Sequence, residues 1–120
     1  MNYIVSAFHI GRRIQLTKVL AKFNDEIIKD ETSFILLKRS EESYLYLKDY
    51  GSIVFCNYKE KEMIKIIQLI AGDDADYSTL SAEEYEIIEA PGEPEQVHFN
   101  TVTIESFSVD ILHIVMFNLS

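Results

Sequence analysis

The chain has 120 residues, 48% hydrophobic and 26% charged, with a single cysteine and a formal net charge of −9. Such a length suits one domain that buries about two-thirds of its unfolded surface, so folding needs neither structural metal nor disulfides, and Cys56 alone excludes an intrachain bridge. Residues 1–65 carry a net charge of +2 and residues 66–120, with no Lys or Arg, carry −11; this opposes nucleic-acid binding, which draws on counterion release by basic side chains, and fits a solvated acidic face or a partner with a basic surface.

Residues 2–10, NYIVSAFHI, are rich in β-branched and aromatic side chains and predict a strand covered on both faces. A helix is expected from about Arg13 to Phe23, where Leu16, Val19, Leu20 and Phe23 form one apolar stripe. FNDEIIKDET then crosses to a second strand, Ser33 to Arg39. The turn RSEES leads to a third strand, Ser43 to Asp49, in which Tyr44 and Tyr46 point opposite to Leu45 and Leu47. A reversal centred on Gly51 leads to a fourth strand, SIVFCN, closing an antiparallel meander.

Asn57 with Glu60 three residues on predicts a capping box opening a second helix. Its stripe is Met63, Ile66, Ile67 and Ile70, and Gly72 sits just past its end. After the loop DDADYSTLS, EEYEIIEA and EQVHFNTVTI read as two strands divided by the turn Pro91-Gly92-Glu93-Pro94. A closing helix follows, capped by Ser106 or Ser108. The order predicts one α+β domain over residues 1–120: a mostly antiparallel sheet of five to six strands with helices on one face. The first βαβ segment is a candidate right-handed parallel crossover, as in ferredoxin-like cores.

The opening MNYIVSAFHIGRR lacks the basic region and cleavage site of a signal peptide, and no stretch approaches the ~20 apolar residues of a membrane span. With no disulfide framework, the cytoplasm is the expected compartment. Cys56 lies in the strand run SIVFC, as a buried, inert thiol would.

Catalytic and metal patterns fail on inspection. Counted as a calcium loop from Asp74, the chain has Thr79 where the turn needs Gly and Tyr85 where the ion needs Glu. His9, His98 and His113 make no zinc spacing, no G-x-S-x-G elbow is present, and four scattered glycines write no phosphate-binding loop. No catalytic residue, metal or cofactor is therefore assigned, and the expectation is a protein that is not an enzyme. Two weaker patterns remain. Arg12 and Arg13 precede the first helix and are candidates for holding a phosphate or carboxylate. Tyr44, Tyr46, Tyr50, Phe55 and Tyr58 resemble a base-stacking set, but strand aromatics are normally core.

From Tyr44 the run YLYLKDYGSIVFCNYKEKEMIKII resembles the central signature of the "required for meiotic nuclear division" family. The matching positions are Tyr46, Asp49, Tyr50, Gly51, Val54, Phe55 and Asn57, followed by an acidic helix, and they mark a turn and a packed hairpin rather than a reaction centre. The final IVMFNLS resembles the start of the family's next helical pattern, apolar-Ser/Asn-x-Leu-(Ala/Ser)-Gln-Ser. The resemblance implies a non-catalytic interaction or scaffold domain corresponding to the family's N-terminal half. Members continue into long helices, often with a membrane segment near the C-terminus, and eukaryotic members support mitochondrial translation. The alternative is a ferredoxin-like sensor of a small anionic ligand or nucleotide near Arg12 and Arg13.

The ending raises its own expectation. Between Val109 and Leu119 only Asp110, His113 and Asn118 are not apolar, and no basic residue or glycine marks a stop. Such a helix must be covered. Leaving ~300 Å² of it in water would forgo about 7 kcal/mol at ~25 cal/mol/Å², comparable to a domain's stability. A piece of a longer polypeptide is therefore expected, packed on its own sheet, on the missing helices or on another copy, with self-association as the predicted outcome.

Overall fold

The computed structural model of the protein describes residues 2–72, 80–92, 96–98, 101–104, Ser108 and Leu112, with the main chain alone at 81, 82, 96–98 and 102. Its elements run β1 (Asn2–His9), α1 (Leu16–Leu20), β2 (Glu26–Asp30), β3 (Phe34–Lys38), β4 (Tyr44–Lys48), β5 (Ser52–Cys56), α2 (Glu60–Ala71), β6 (Ser81–Glu89), β7 (Gln96–His98) and β8 (Thr101–Ile104). The fold is α+β, built on one sheet in the order β2-β3-β4-β5-β1-β6-β8-β7. Every described pair is antiparallel except β6 with β8.

Among the described residues the sheet has eight strands rather than the expected five to six. One addition is β2, within the run FNDEIIKDET that reads as a connection. It is a charged edge strand, with Ile27 49% exposed and a register shift between Ile27 and Lys29. An edge strand buries little and so leaves little hydrophobic periodicity, and such irregularity discourages pairing with other chains. The other arises because EQVHFNTVTI is two strands: β7 and β8 pair with each other, and β8 lies parallel to β6.

The β1–α1–β2 connection is not a crossover between neighbours, since β5, β4 and β3 separate the two strands. Counting alternations across the antiparallel pairs, β1 and β2 nevertheless run in the same direction. The unit β5–α2–β6 is split by β1, which pairs with both strands; this is the split βαβ connection on which ferredoxin-like cores are built.

The meander strands read as near-continuous apolar runs because both faces are covered. Toward α1 and α2 point Phe8, Ile35, Leu45, Leu47, Ile53 and Phe55, meeting Leu16, Val19, Met63 and Ile67. On the opposite face lie Tyr3, Val5, Leu36, Tyr46, Val54 and Ile87, and Leu112 is fully buried among them. The Leu112 N–H donates to the Ser108 carbonyl at 3.0 Å, the i to i−4 bond of a helical turn. At this position the domain itself supplies cover for the closing segment. The rest of that segment lies outside the described residues.

Both helices depart from expectation at their starts. α1 has only five residues, because the chain before it is held elsewhere: Gln15 is extended, and Ile14 is buried with its N–H donating to the Asp49 carbonyl at 2.7 Å. α2 is capped by Lys59, not Asn57, and the third helical residue is Glu62, whose carboxylate accepts the Lys59 N–H at 3.3 Å. Among the described residues no helix is long and apolar enough to cross a membrane.

Candidate functional site

The loop between β1 and α1 is bolted to the β4–β5 turn. The Ile10 N–H donates to the Gly51 carbonyl at 2.9 Å, and the Ile14 N–H to that of Asp49. Between these bonds the Arg12 main chain presses on Gly51: a Cβ built there would lie 2.4 Å from the Arg12 carbonyl oxygen. With φ at +109°, only glycine suits this position on both counts. Asp49 also holds the Arg13 guanidinium through its carboxylate at 3.1 Å.

The other positions of the aromatic signature are occupied by packing. Tyr46 is fully buried and stacks on Phe34 with ring centroids 5.3 Å apart. Val54 and Phe55 fill opposite faces of β5. Tyr50 is half exposed, with the Lys48 ammonium 5.0 Å from its ring centroid. Asn57 takes a left-handed conformation, φ 58°, and ties β1 to the β3–β4 turn. Its Oδ1 accepts the Ile4 N–H at 2.8 Å, its Nδ2 donates to the Glu42 carbonyl at 2.9 Å, and its carbonyl accepts the Ser43 hydroxyl at 3.0 Å. Asparagine tolerates this backbone better than other non-glycine residues, which explains its presence where a helix cap is expected.

What the loop presents is a basic cleft. Arg12, Arg13, Lys18 and Lys22 line a cavity of about 410 Å³ between α1 and the end of α2, walled by Val19, Leu69 and Ile70. Among the described residues no acid lines it, and none occurs before Asp25 in the chain. Arg13 faces Asp49 on one side, and the Lys22 ammonium donates to the Leu69 carbonyl at 3.4 Å, near the negative end of α2. Among the described residues Arg12 and Lys18 have no ion-pair partner. Sequence reading found the arginines and missed the lysines; their spacing of four along the α1 segment, in a stretch free of acids, was the available signal.

Elsewhere the chemistry is muted. Burial pushes the Cys56 thiol up to about 12, so it stays protonated. The Ser52 hydroxyl is 3.0 Å from His9 Nδ1, but Ser52 is fully buried and offers no access to a substrate. Asp25, Arg39, Glu62 and Lys65 surround a cavity of about 290 Å³, with Arg39 paired to Glu62 and its guanidinium 5.1 Å from the Tyr58 ring centroid. Burial raises the Asp25 carboxyl against the opposing pull of Arg39. Glu62 lies below the usual range: burial alone would raise it, and the Lys59 N–H and Arg39 together outweigh that.

Tyr44, Tyr46 and Phe55 are buried and divided between the two faces of the sheet, so they form no stacking platform. Among the described residues no group of three or more His, Cys, Asp or Glu side chains is placed to hold a metal ion. The Asp73–Asp76 loop, His113 and the His98 side chain lie outside the described residues.

No family model, curated protein or solved structure matches this chain. The arrangement itself defines an α+β domain with a basic cleft between its helices and acidic side chains along β6.

Proposed function

We propose that the domain is a non-catalytic interaction module, as its Tyr44–Asn57 resemblance to the "required for meiotic nuclear division" family implies. The observation carrying this reading is the sheet surface beyond the helices. There Glu84 and Glu86 stand opposite Ser6 and Ile4 on β1, and Ile4 is 40% exposed. An acidic surface with an exposed apolar residue beside it suits a partner with a basic, partly apolar face, whether another copy or the helices that follow in the family. Light scattering and cross-linking of the full chain test it. Intermolecular cross-links at this surface, lost in Ile4→Ser with Glu84→Lys, are expected; a strict monomer with only intrachain links overturns self-pairing, and capture of the family's C-terminal helices then decides whether the module reading stands.

A second reading is supported by the cleft: binding of a small anion by Arg12 and its neighbours, whose charges have few internal partners.

A further inference from the structure

We propose that the cleft between α1 and the end of α2 takes a di- or triphosphate carried on an apolar or aromatic group, with Arg12 and Lys18 as its principal phosphate ligands. This rests on the anion reading and specifies the ligand's chemistry.

Charge is the first argument. In a chain of net charge −9, four cations and, among the described residues, no acid line one cavity. Like charges gathered in one cleft repel, and a multiply charged anion relieves that repulsion. Arg13 and Lys22 have internal acceptors, which leaves Arg12 and Lys18 to meet the ligand.

Shape and polarity are the second. A cavity of about 410 Å³ exceeds the needs of a single phosphate ion and lies within the range of small-molecule sites. Its wall includes Leu69, 41% exposed although it is a large apolar residue. Cations on one side and an uncovered leucine on the other match a ligand with a phosphate chain and an apolar body. A tricarboxylate offers the charge without the body.

The boundaries are the third. Asp49 stands on the far side of Arg13, and Asp30 and Glu31 line a cavity on another side of α1. A long polyanion leaving the cleft meets these carboxylates, whereas a short one does not. Mounting is the fourth. Hydrogen bonds at Ile10 and Ile14, and the close approach to Gly51, hold the Arg12 backbone in place, so little ordering remains to be done on binding.

Calorimetric titration of the full chain with ATP, inorganic tripolyphosphate, citrate and a single-stranded oligonucleotide tests this. ATP is expected to bind, tripolyphosphate more weakly and citrate not at all. Arg12→Ala with Lys18→Ala should weaken ATP by about a hundredfold, near tenfold for each charge-assisted contact. Both residues are exposed, so an unchanged melting temperature is expected to show that the variant folds. Leu69→Ser should weaken ATP while leaving tripolyphosphate unchanged. Citrate binding in preference to both phosphates leaves the anion reading standing and overturns this one. No binding of any anion overturns both. ATP binding that survives the double substitution, or binding of the oligonucleotide alone, removes the site or the ligand class proposed.

Discussion

The Arg12 carbonyl oxygen occupies the space that a side chain on Gly51 would need, at 2.4 Å from an ideal Cβ. The β4–β5 turn and the loop that presents the basic cleft are therefore one packed unit. Gly51→Ala combines a disfavoured backbone with a steric clash and should destabilise by at least about 2 kcal/mol. Gly11→Ala, also at positive φ but with open space around it, should cost only about 1 kcal/mol. Urea unfolding of the two variants checks the ordering; equal losses would mean that the contact with Arg12 carries no weight.

Asn57 combines a left-handed backbone with one side-chain bond to β1 and another to the β3–β4 turn. Asn57→Gly keeps the backbone and loses the bonds, at about 1–2 kcal/mol. Asn57→Ala loses both and should cost about 1 kcal/mol more. Denaturation midpoints in the order wild type, glycine, alanine support this clasp, whereas alanine outranking glycine speaks for a simple turn.

The buried Cys56 thiol predicts alkaline behaviour. Its folded value is raised from 9.0 to about 12, so the folded state keeps a proton that the unfolded chain releases. Stability from this residue is intact below pH 9 and is lost as pH climbs toward 12, by ~1.4 kcal/mol per pH unit. Between pH 9 and 10, before tyrosines contribute fully, the unfolding free energy of Cys56→Ala should decline by about 1 kcal/mol less than that of the wild type. An unaltered slope rules the thiol out as its source.

Glu62 titrates in the opposite sense. Its folded carboxyl is lowered, with the Lys59 N–H and Arg39 outweighing burial, so its contribution is present at neutral pH and fades as pH falls through the folded value. Glu62→Gln retains an acceptor for the Lys59 N–H and removes the charge. A loss of under about 1 kcal/mol is expected at pH 7, shrinking in high salt and vanishing in acid. A pH-independent loss would point to packing instead.

Leu112 is fully buried on its own sheet. Leu112→Ala should cost about 2–5 kcal/mol in a form independent of protein concentration, whereas Leu69→Ala, at an exposed position, should cost little. Loss at Leu112 that appears only on dilution would instead mark an intermolecular contact.

The meander and α2 were legible in the sequence because the meander strands are short apolar runs bounded by turns, buried throughout along Tyr44–Lys48, and α2 repeats its apolar residues with a period of 3.6 along Met63, Ile67 and Ile70. β2 was not, since an edge strand with charges at Glu26, Lys29 and Asp30 leaves too little apolar pattern to register. The division of EQVHFNTVTI was hidden for a related reason: two short strands in succession keep the alternation of one long strand. The Asn57 cap was misplaced because asparagine favours helix starts and left-handed turns alike, and only strand neighbours choose between them.

Local chemistry by itself determined the strongly periodic segments, the meander strands and α2, and which catalytic motifs cannot be written, because periodicity and motif spacing act over a few residues. Only tertiary structure decided that β1 lies between β5 and β6, that Gly51 meets Arg12, and that Lys18 and Lys22 join two arginines against the end of α2. Those are contacts between residues distant along the chain, selected by which faces pack together, and no local pattern records them.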